Sequence, residues 1–146
     1  MKLLVGIDLS QSTEKVVEKA AVLARALSAK TWLLHVADPE PDFVGFDASP
    51  AYDRDVRSRT FHAEHSELQA IANKLRLDGL DATALLVQGP TAATILQEAA
   101  KLVADMVIVG SHGRGAMHRL LVGSVSEEVL RRAGCPVLII PTHEHA

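Results

Sequence analysis

The sequence predicts an α/β fold with a five-stranded parallel sheet, and three observations carry the prediction. Short apolar or β-branched runs alternate with longer stretches whose hydrophobic residues recur at helical spacing. Several of the short runs are apolar at every position, as strands covered on both faces should be. Pro90 and Gly134 punctuate the alternation, one before a helical stretch and one after.

The first strand, Lys2 to Asp8, is apolar from Leu3 to Val5 and ends on a carboxylate. A helix from about Ser12 to Ser28 follows, because Val16, Ala20, Leu23 and Leu27 fall on one stripe. Thr31 to Val36 reads as the second strand. The segment Asp38 to Pro50, DPEPDFVGFDASP, has three prolines and a glycine, which forbid a regular element. Tyr52 to Leu77 is helical, its end marked by Leu68, Ile71, Ala72 and Leu75. Ala82 to Val87 is the third strand, Thr91 to Val103 the next helix and Met106 to Gly110 the fourth strand. Ser124 to Ala133 forms the last helix and Pro136 to Ile140 the fifth strand. No internal repeat or low-complexity tract interrupts the pattern.

Composition bounds what these elements can serve. With 146 residues, 48% of them hydrophobic, residues 1–146 are expected to make one compact domain with a sizeable core. A net charge of -3 and 3% aromatic residues argue against a basic groove with stacking platforms for nucleic acid. No apolar run approaches the roughly 18 residues that suggest a membrane span. The start, MKLLVGIDLS, runs into a polar helix start rather than a cleavage site, so a soluble, cytoplasmic chain without membrane insertion is expected. Cys135 is the single cysteine, which rules out an internal disulfide and a thiolate metal cluster; before Pro136 it reads as a small apolar filler.

The stretch richest in chemistry is residues 106–126, MVIVGSHGRGAMHRLLVGSVS, which joins an apolar strand to a glycine-punctuated loop and a helix start. Gly110, Gly113, Gly115 and Gly123 permit positive φ and let backbone amides approach a ligand. Ser124 opens a helix whose first amides lack intrahelical partners and favour an anion such as phosphate. From Gly110 to Ser124 there are two arginines, Arg114 and Arg119, two histidines, His112 and His118, and no acid. The local field is positive within an acidic chain. A plainer reading competes: Ser124-Val-Ser-Glu127 fits a capping box. Alternatively Ser124 and Ser126 offer hydroxyls to phosphate while Glu127 turns to solvent or a metal.

In open parallel sheets, ligands sit beyond the carboxyl ends of strands where the strand order reverses. Asp8 closes the first strand and Gly110 the fourth. If those strands are neighbours, a carboxylate suited to ribose hydroxyls and an amide cradle suited to phosphates share one crevice. Spacing alone does not give that adjacency. Two common phosphate motifs are absent: no G-x-x-x-x-G-K-[ST] occurs, and Gly113-Arg-Gly115 is followed three residues on by His118, so the dinucleotide fingerprint fails.

The loop does satisfy Gly-x2-Gly-x9-Gly-[Ser/Thr] through Gly110, Gly113, Gly123 and Ser124. With VGIDLSQSTEKVV at the start, a proline-rich bend after HV, and VGSHGRGAMHRLLVGSVSEEVLRRAGCPVLIIP at the end, the chain resembles the ATP-binding branch of the universal stress protein family over nearly its whole length. The resemblance implies a Rossmann-like, adenine nucleotide alpha hydrolase-like sheet of order 3-2-1-4-5 with helices on both faces, which makes strands one and four neighbours. It further implies ATP as the ligand, with Mg2+ as a possible companion. Asp8 would hold the ribose, Val36 would meet adenine through its backbone, and Val109 and Gly110 would line the ribose and phosphate edge. Gly113, Arg114, Gly123, Ser124 and Val125 would wrap the triphosphate. Val109 is smaller than the residue some members carry there.

Other candidates are weaker. His112 could shuttle a proton at a phosphate, but the sequence offers no obvious carboxylate to orient it. His62, Glu64 and His65 share a helical face yet lack a further ligand, and His143 and His145 fall in a terminal tail. Phe43 and Phe46 either pack beside the second helix or close over the crevice. Val137 to Ile140 is apolar throughout although it would be an edge strand, which predicts an isologous homodimer. Three function classes follow: a regulatory ATP-binding homodimer in a stress response acting on a protein partner, a slow ATPase or phosphotransfer enzyme, and a nucleotide-free dimeric scaffold. The missing lysine and water-positioning base count against the second.

Overall fold

The computed structural model describes residues 1–37, 51–112 and 122–142. Its elements run β1 (Lys2–Gly6), α1 (Thr13–Leu27), β2 (Lys30–Ala37), α2 (Ala51–Leu77), β3 (Asp81–Gln88), α3 (Thr91–Leu102), β4 (Met106–Gly110), α4 (Ser124–Arg132) and β5 (Val137–Ile140). The five strands form one parallel sheet of order β3-β2-β1-β4-β5. The expected order is therefore the observed one. Leu4 sits between Trp32 of β2 and Val107 of β4, so β1 is the strand from which the chain winds outward in both directions.

Alternation along β1 shows how the core is divided. Leu3 and Val5 face one side with Val16, Ala20 and Ala24 of α1 and Leu68, Ala72 and Leu75 of α2. Leu4 faces the other with Ala92 and Ile95 of α3 and Val129 of α4. Leu3, Leu4 and Val5 have no solvent exposure, which explains a strand apolar at every position. Burying a leucine of this kind contributes about 2 kcal/mol, so the centre of the sheet is also its firmest part.

Helix ends follow local chemistry. Ser28 and Val103 close α1 and α3 in the left-handed region, at φ 49 and 53, with their N–H groups returned to the last turn. Gly79 at φ 90 serves the turn after α2. Cys135 packs against the α3 and α4 face; burial pushes its thiol up, a hydrogen bond with the Val107 backbone opposes this, and the charge of Asp105 adds to the rise. Among the described residues, no helix is long and apolar enough to cross a membrane.

Candidate functional site

The carboxyl ends of β1 and β4 lie side by side at the point where the strand order reverses. The β1–β4 register pairs Val5 with Ile108; two residues further on stand Ile7 and Gly110. Each exit is held in its own way.

At the β1 exit the strand ends earlier than its hydrophobicity suggests. Ile7 still donates its N–H to the Leu34 carbonyl, but Asp8 turns its carboxylate onto the chain that follows. Asp8 Oδ1 accepts from the Ser10 N–H at 3.0 Å, the Ser10 hydroxyl at 2.6 Å and, more distantly, the Thr13 hydroxyl at 3.4 Å. Leu9, between them, is held at φ 59. A branched side chain in that region is unfavourable by about 1 kcal/mol or more, and such residues gather where surrounding structure insists on one backbone shape. The Asp8 turn is thus rigid, as a carboxylate must be if it is to meet a ligand in one orientation.

Behind the turn lies His35, buried on β2. Its Nδ1 donates to the Ile7 carbonyl at 3.0 Å, and its Nε2 meets Glu64 Oε2 of α2 at the same distance. The weak candidate face of His62, Glu64 and His65 is divided: Glu64 turns inward to His35, while His65 lies against Gln69 and both histidines are exposed. Among the described residues no three histidine, cysteine or acidic side chains gather as metal ligands. Sequence reasoning missed His35. The one available signal was a polar ring inside the otherwise apolar WLLHV.

At the β4 exit, hydroxyls and backbone do the holding. Ser111 donates its N–H to the Ile140 carbonyl at 2.8 Å, extending the β4–β5 ladder past Gly110. Thr142 N–H donates to Ser111 Oγ at 3.0 Å, and the Thr142 hydroxyl oxygen accepts from the His112 N–H at 3.1 Å. His112 Nδ1 lies 3.1 Å from Ser111 Oγ, so a hydroxyl orients the ring where no carboxylate was evident. Gly110 is needed here for space. A Cβ on it would stand 2.9 Å from Thr142 Cγ2 and 3.2 Å from Val16 Cγ2. The expected use of positive φ is not what the backbone shows: Gly110 is not among the positive-φ glycines, and Gly123 has φ -70. Close approach, not handedness, explains Gly110.

The start of α4 corrects the capping-box reading. Gly123, not Ser124, is the N-cap, and it makes no side-chain cap because it has no side chain. Glu127 instead pairs with Arg131 one turn on, at 2.6 Å. Ser126 is buried and donates its hydroxyl to the Gly110 carbonyl, so it is committed to structure and is not a phosphate donor. Gly123 N–H returns to the Ser111 carbonyl, which brings the start of α4 against the end of β4.

Of the expected site residues, Asp8, Val109, Gly110, Gly123, Ser124 and Val125 thus border the β1 and β4 exits. Ser124 is exposed, Val125 is partly buried against the α3 and α4 face, and Val109 is 4% exposed with its Cγ1 over Gly6. Val109 accordingly belongs to the core by its side chain and borders the crevice only through its backbone. Val36 lies on β2 beyond the last register pair of β1 and β2, Gly6 with Leu34, where β1 no longer continues as a strand beside it. Gly113 and Arg114 of the motif, with Gly115, His118 and Arg119, lie outside the described residues, as do Phe43, Phe46, His143 and His145.

Comparison with known proteins agrees with this architecture. Residues 1–141 match the Universal stress protein family. A relative from Thermus aquaticus, the universal stress protein in QAH/OAS sulfhydrylase 3'region, is 33% identical over 139 residues, covering 94% of this chain and 96% of the relative. Among solved structures, hypothetical protein MJ0577 superposes with a TM-score of 0.83 at 23% identity, covering 99% of this chain and 97% of that one. A universal stress protein in complex with cAMP superposes with a TM-score of 0.73 at 24% identity, covering 98% of each chain. Sequence match and fold together establish that this chain belongs to the universal stress protein family.

Proposed function

We propose that the chain is a regulatory adenine-nucleotide-binding protein, with ATP as its ligand, that works as a cytoplasmic homodimer on a protein partner. One observation carries the reading: the order β3-β2-β1-β4-β5 sets the rigid Asp8 turn beside the Gly110 exit, where the glycine motif begins. A carboxylate accepts from ribose hydroxyls, and the glycine loop with the start of α4 supplies amides to phosphates. The fit is supported by an α4 start whose N-cap, Gly123, brings no side-chain cap of its own. That a universal stress protein of the same fold was solved with cAMP is consistent with an adenine ligand.

Asp8 would hold the ribose and the Val36 backbone the adenine edge, with the Val109 and Gly110 backbone between ribose and phosphates. Gly113, Arg114, Gly123, Ser124 and Val125 would surround the triphosphate. Mg2+ would enter on the nucleotide's own phosphates, since no three acidic or histidine ligands gather among the described residues. Nucleotide occupancy would shift the population of conformations that a partner meets. For the dimer, β5 is the edge of the sheet and Val137, Leu138 and Ile139 are only partly buried, as an unpaired apolar edge would be.

Denaturing the purified protein and identifying the released nucleotide tests the reading, followed by incubation with ATP for hours, with Mg2+ and with chelator. Unhydrolysed ATP at one per chain is the expected result. ADP produced over repeated turnovers would replace it with a slow ATPase, and a protein that neither carries nucleotide nor responds to it in melting would leave a scaffold. Asp8→Ala should weaken ATP binding by about tenfold or more, read by titration calorimetry. Undiminished affinity would remove Asp8 from the site.

A further inference from the structure

We infer that His35 is a positioning residue for the Asp8 turn, and that the proton it shares with Glu64 makes the grip on nucleotide weaken as pH rises. The inference rests on the nucleotide reading above.

The argument is a count of hydrogens. The Ile7 carbonyl can only accept, so Nδ1 must carry a proton. A Glu64 carboxylate also only accepts, and at 3.0 Å a proton must lie between Oε2 and Nε2, whichever atom holds it more closely. The pair therefore holds one proton more than a neutral ring beside an ionised acid. Remove it, and either an Nε2 lone pair faces a carboxylate or Nδ1 gives up the Ile7 carbonyl. Both outcomes loosen a buried contact that a hydrogen bond otherwise satisfies.

What is loosened matters because of where it sits. Ile7 is the residue before Asp8, and its N–H is also its last tie to β2. The His35 contact is thus the side-chain tie that holds the Ile7–Asp8 peptide group while Leu9 is kept at φ 59. Among the described residues, the titratable groups near the ring are few. From α2 the inward group is Glu64, with Glu67 and His65 exposed; from the β1 exit it is Asp8, whose Oδ1 is turned to Ser10 and Thr13. On β3 the register partner of His35 is Leu86, and the buried positions in the first part of α1 are Thr13 and Val16. Glu64 is accordingly the acid that decides the proton.

Two measurements test this. Long-range proton–nitrogen spectra of the His35 ring should show hydrogens on both nitrogens at low pH, with loss of one on raising the pH accompanied by faster amide exchange at Leu9 and Ser10. A ring that carries a single proton at every pH at which the protein stays folded, with exchange unaltered, overturns the inference whether or not nucleotide binds. ATP affinity measured over the same range should fall by about tenfold more in the wild type than in Glu64→Gln. A glutamine amide can accept from an Nε2 hydrogen or donate to an Nε2 lone pair, so it removes the dependence on that proton, while the titration of ATP itself is common to both proteins. Superimposable profiles would overturn the inference while leaving the nucleotide site in place. His35→Asn, which keeps one N–H for the Ile7 carbonyl, should partly restore slow exchange at Leu9 relative to His35→Ala; equal exchange in the two would show that the ring merely fills space. If the wild type binds no adenine nucleotide at any pH, the parent reading fails and the ring spectra still decide whether the Asp8 turn is held by a proton.

Discussion

The two strand exits that border the crevice are secured by different chemistry. At β1, an acid and a buried histidine hold the turn, and the histidine answers to Glu64 on a helix packed behind the sheet. At β4, Ser111 and Thr142 do so with hydroxyl and backbone contacts, around a glycine that leaves room for a threonine methyl. The β1 exit is therefore tied through a histidine–carboxylate pair to α2, whereas the β4 exit is held by hydroxyl contacts and by the room that Gly110 leaves. It also differs in reach. Ser111 and His112 are tied to Ile140 and Thr142, so the β4 exit is bonded directly to the edge strand and the residues that follow it.

Substitutions can break this contrast. The largest effect is expected from Gly110→Val, whose side chain would drive into Thr142 and Val16. Overpacking of that kind destabilises by about 3 kcal/mol, seen as a lower urea midpoint at unchanged slope, and nucleotide uptake should be lost with it. A fully stable variant would mean that the β4 exit is not set by shape. Next comes Thr142→Val, nearly isosteric but without the hydroxyl that accepts from His112 N–H. A cost of about 1 kcal/mol is expected, with amide exchange accelerated at His112 and unchanged at Ser10. Acceleration at both residues would show that the exits are not independent. The smallest effect sharpens the comparison by acting far from either exit. Val103 is 73% exposed and sits at φ 53. Val103→Gly should stabilise the chain by about 0.5 kcal/mol in the same denaturation experiment, since relief of left-handed strain exceeds the added freedom of the unfolded chain. Exchange at Ser10 and His112 should slow only as far as global stability rises.

Much of the fold was legible because its signals are local. The fourth strand, Met106–Gly110, has the limits that its apolar run predicts, and the helices agree to within a residue at their described ends. The first strand is shorter than its pattern because Asp8 satisfies the Ser10 amide, a competition between side chain and ladder that periodicity does not register. At α4, the sequence offered two serines in a row of candidates, and the capping box chose the wrong one. Gly123 caps by backbone shape, and Ser126 reaches the Gly110 carbonyl sixteen residues earlier. His35 and Glu64, 29 residues apart, and Ser111 and Thr142, 31 apart, meet only once the crossovers are made.

By itself, then, the sequence determined the alternation of strand and helix, the apolar character of the central strands, and the family that its glycine loop and flanks resemble. These depend on spacing within a few residues, which sets the face on which each side chain emerges. The tertiary structure decided that Glu64 faces His35, that Gly110 makes room for Thr142, and that Ser126 is spent on the strand end. Those outcomes depend on which segments lie against one another, and that is fixed by burial of both faces of the sheet as a whole.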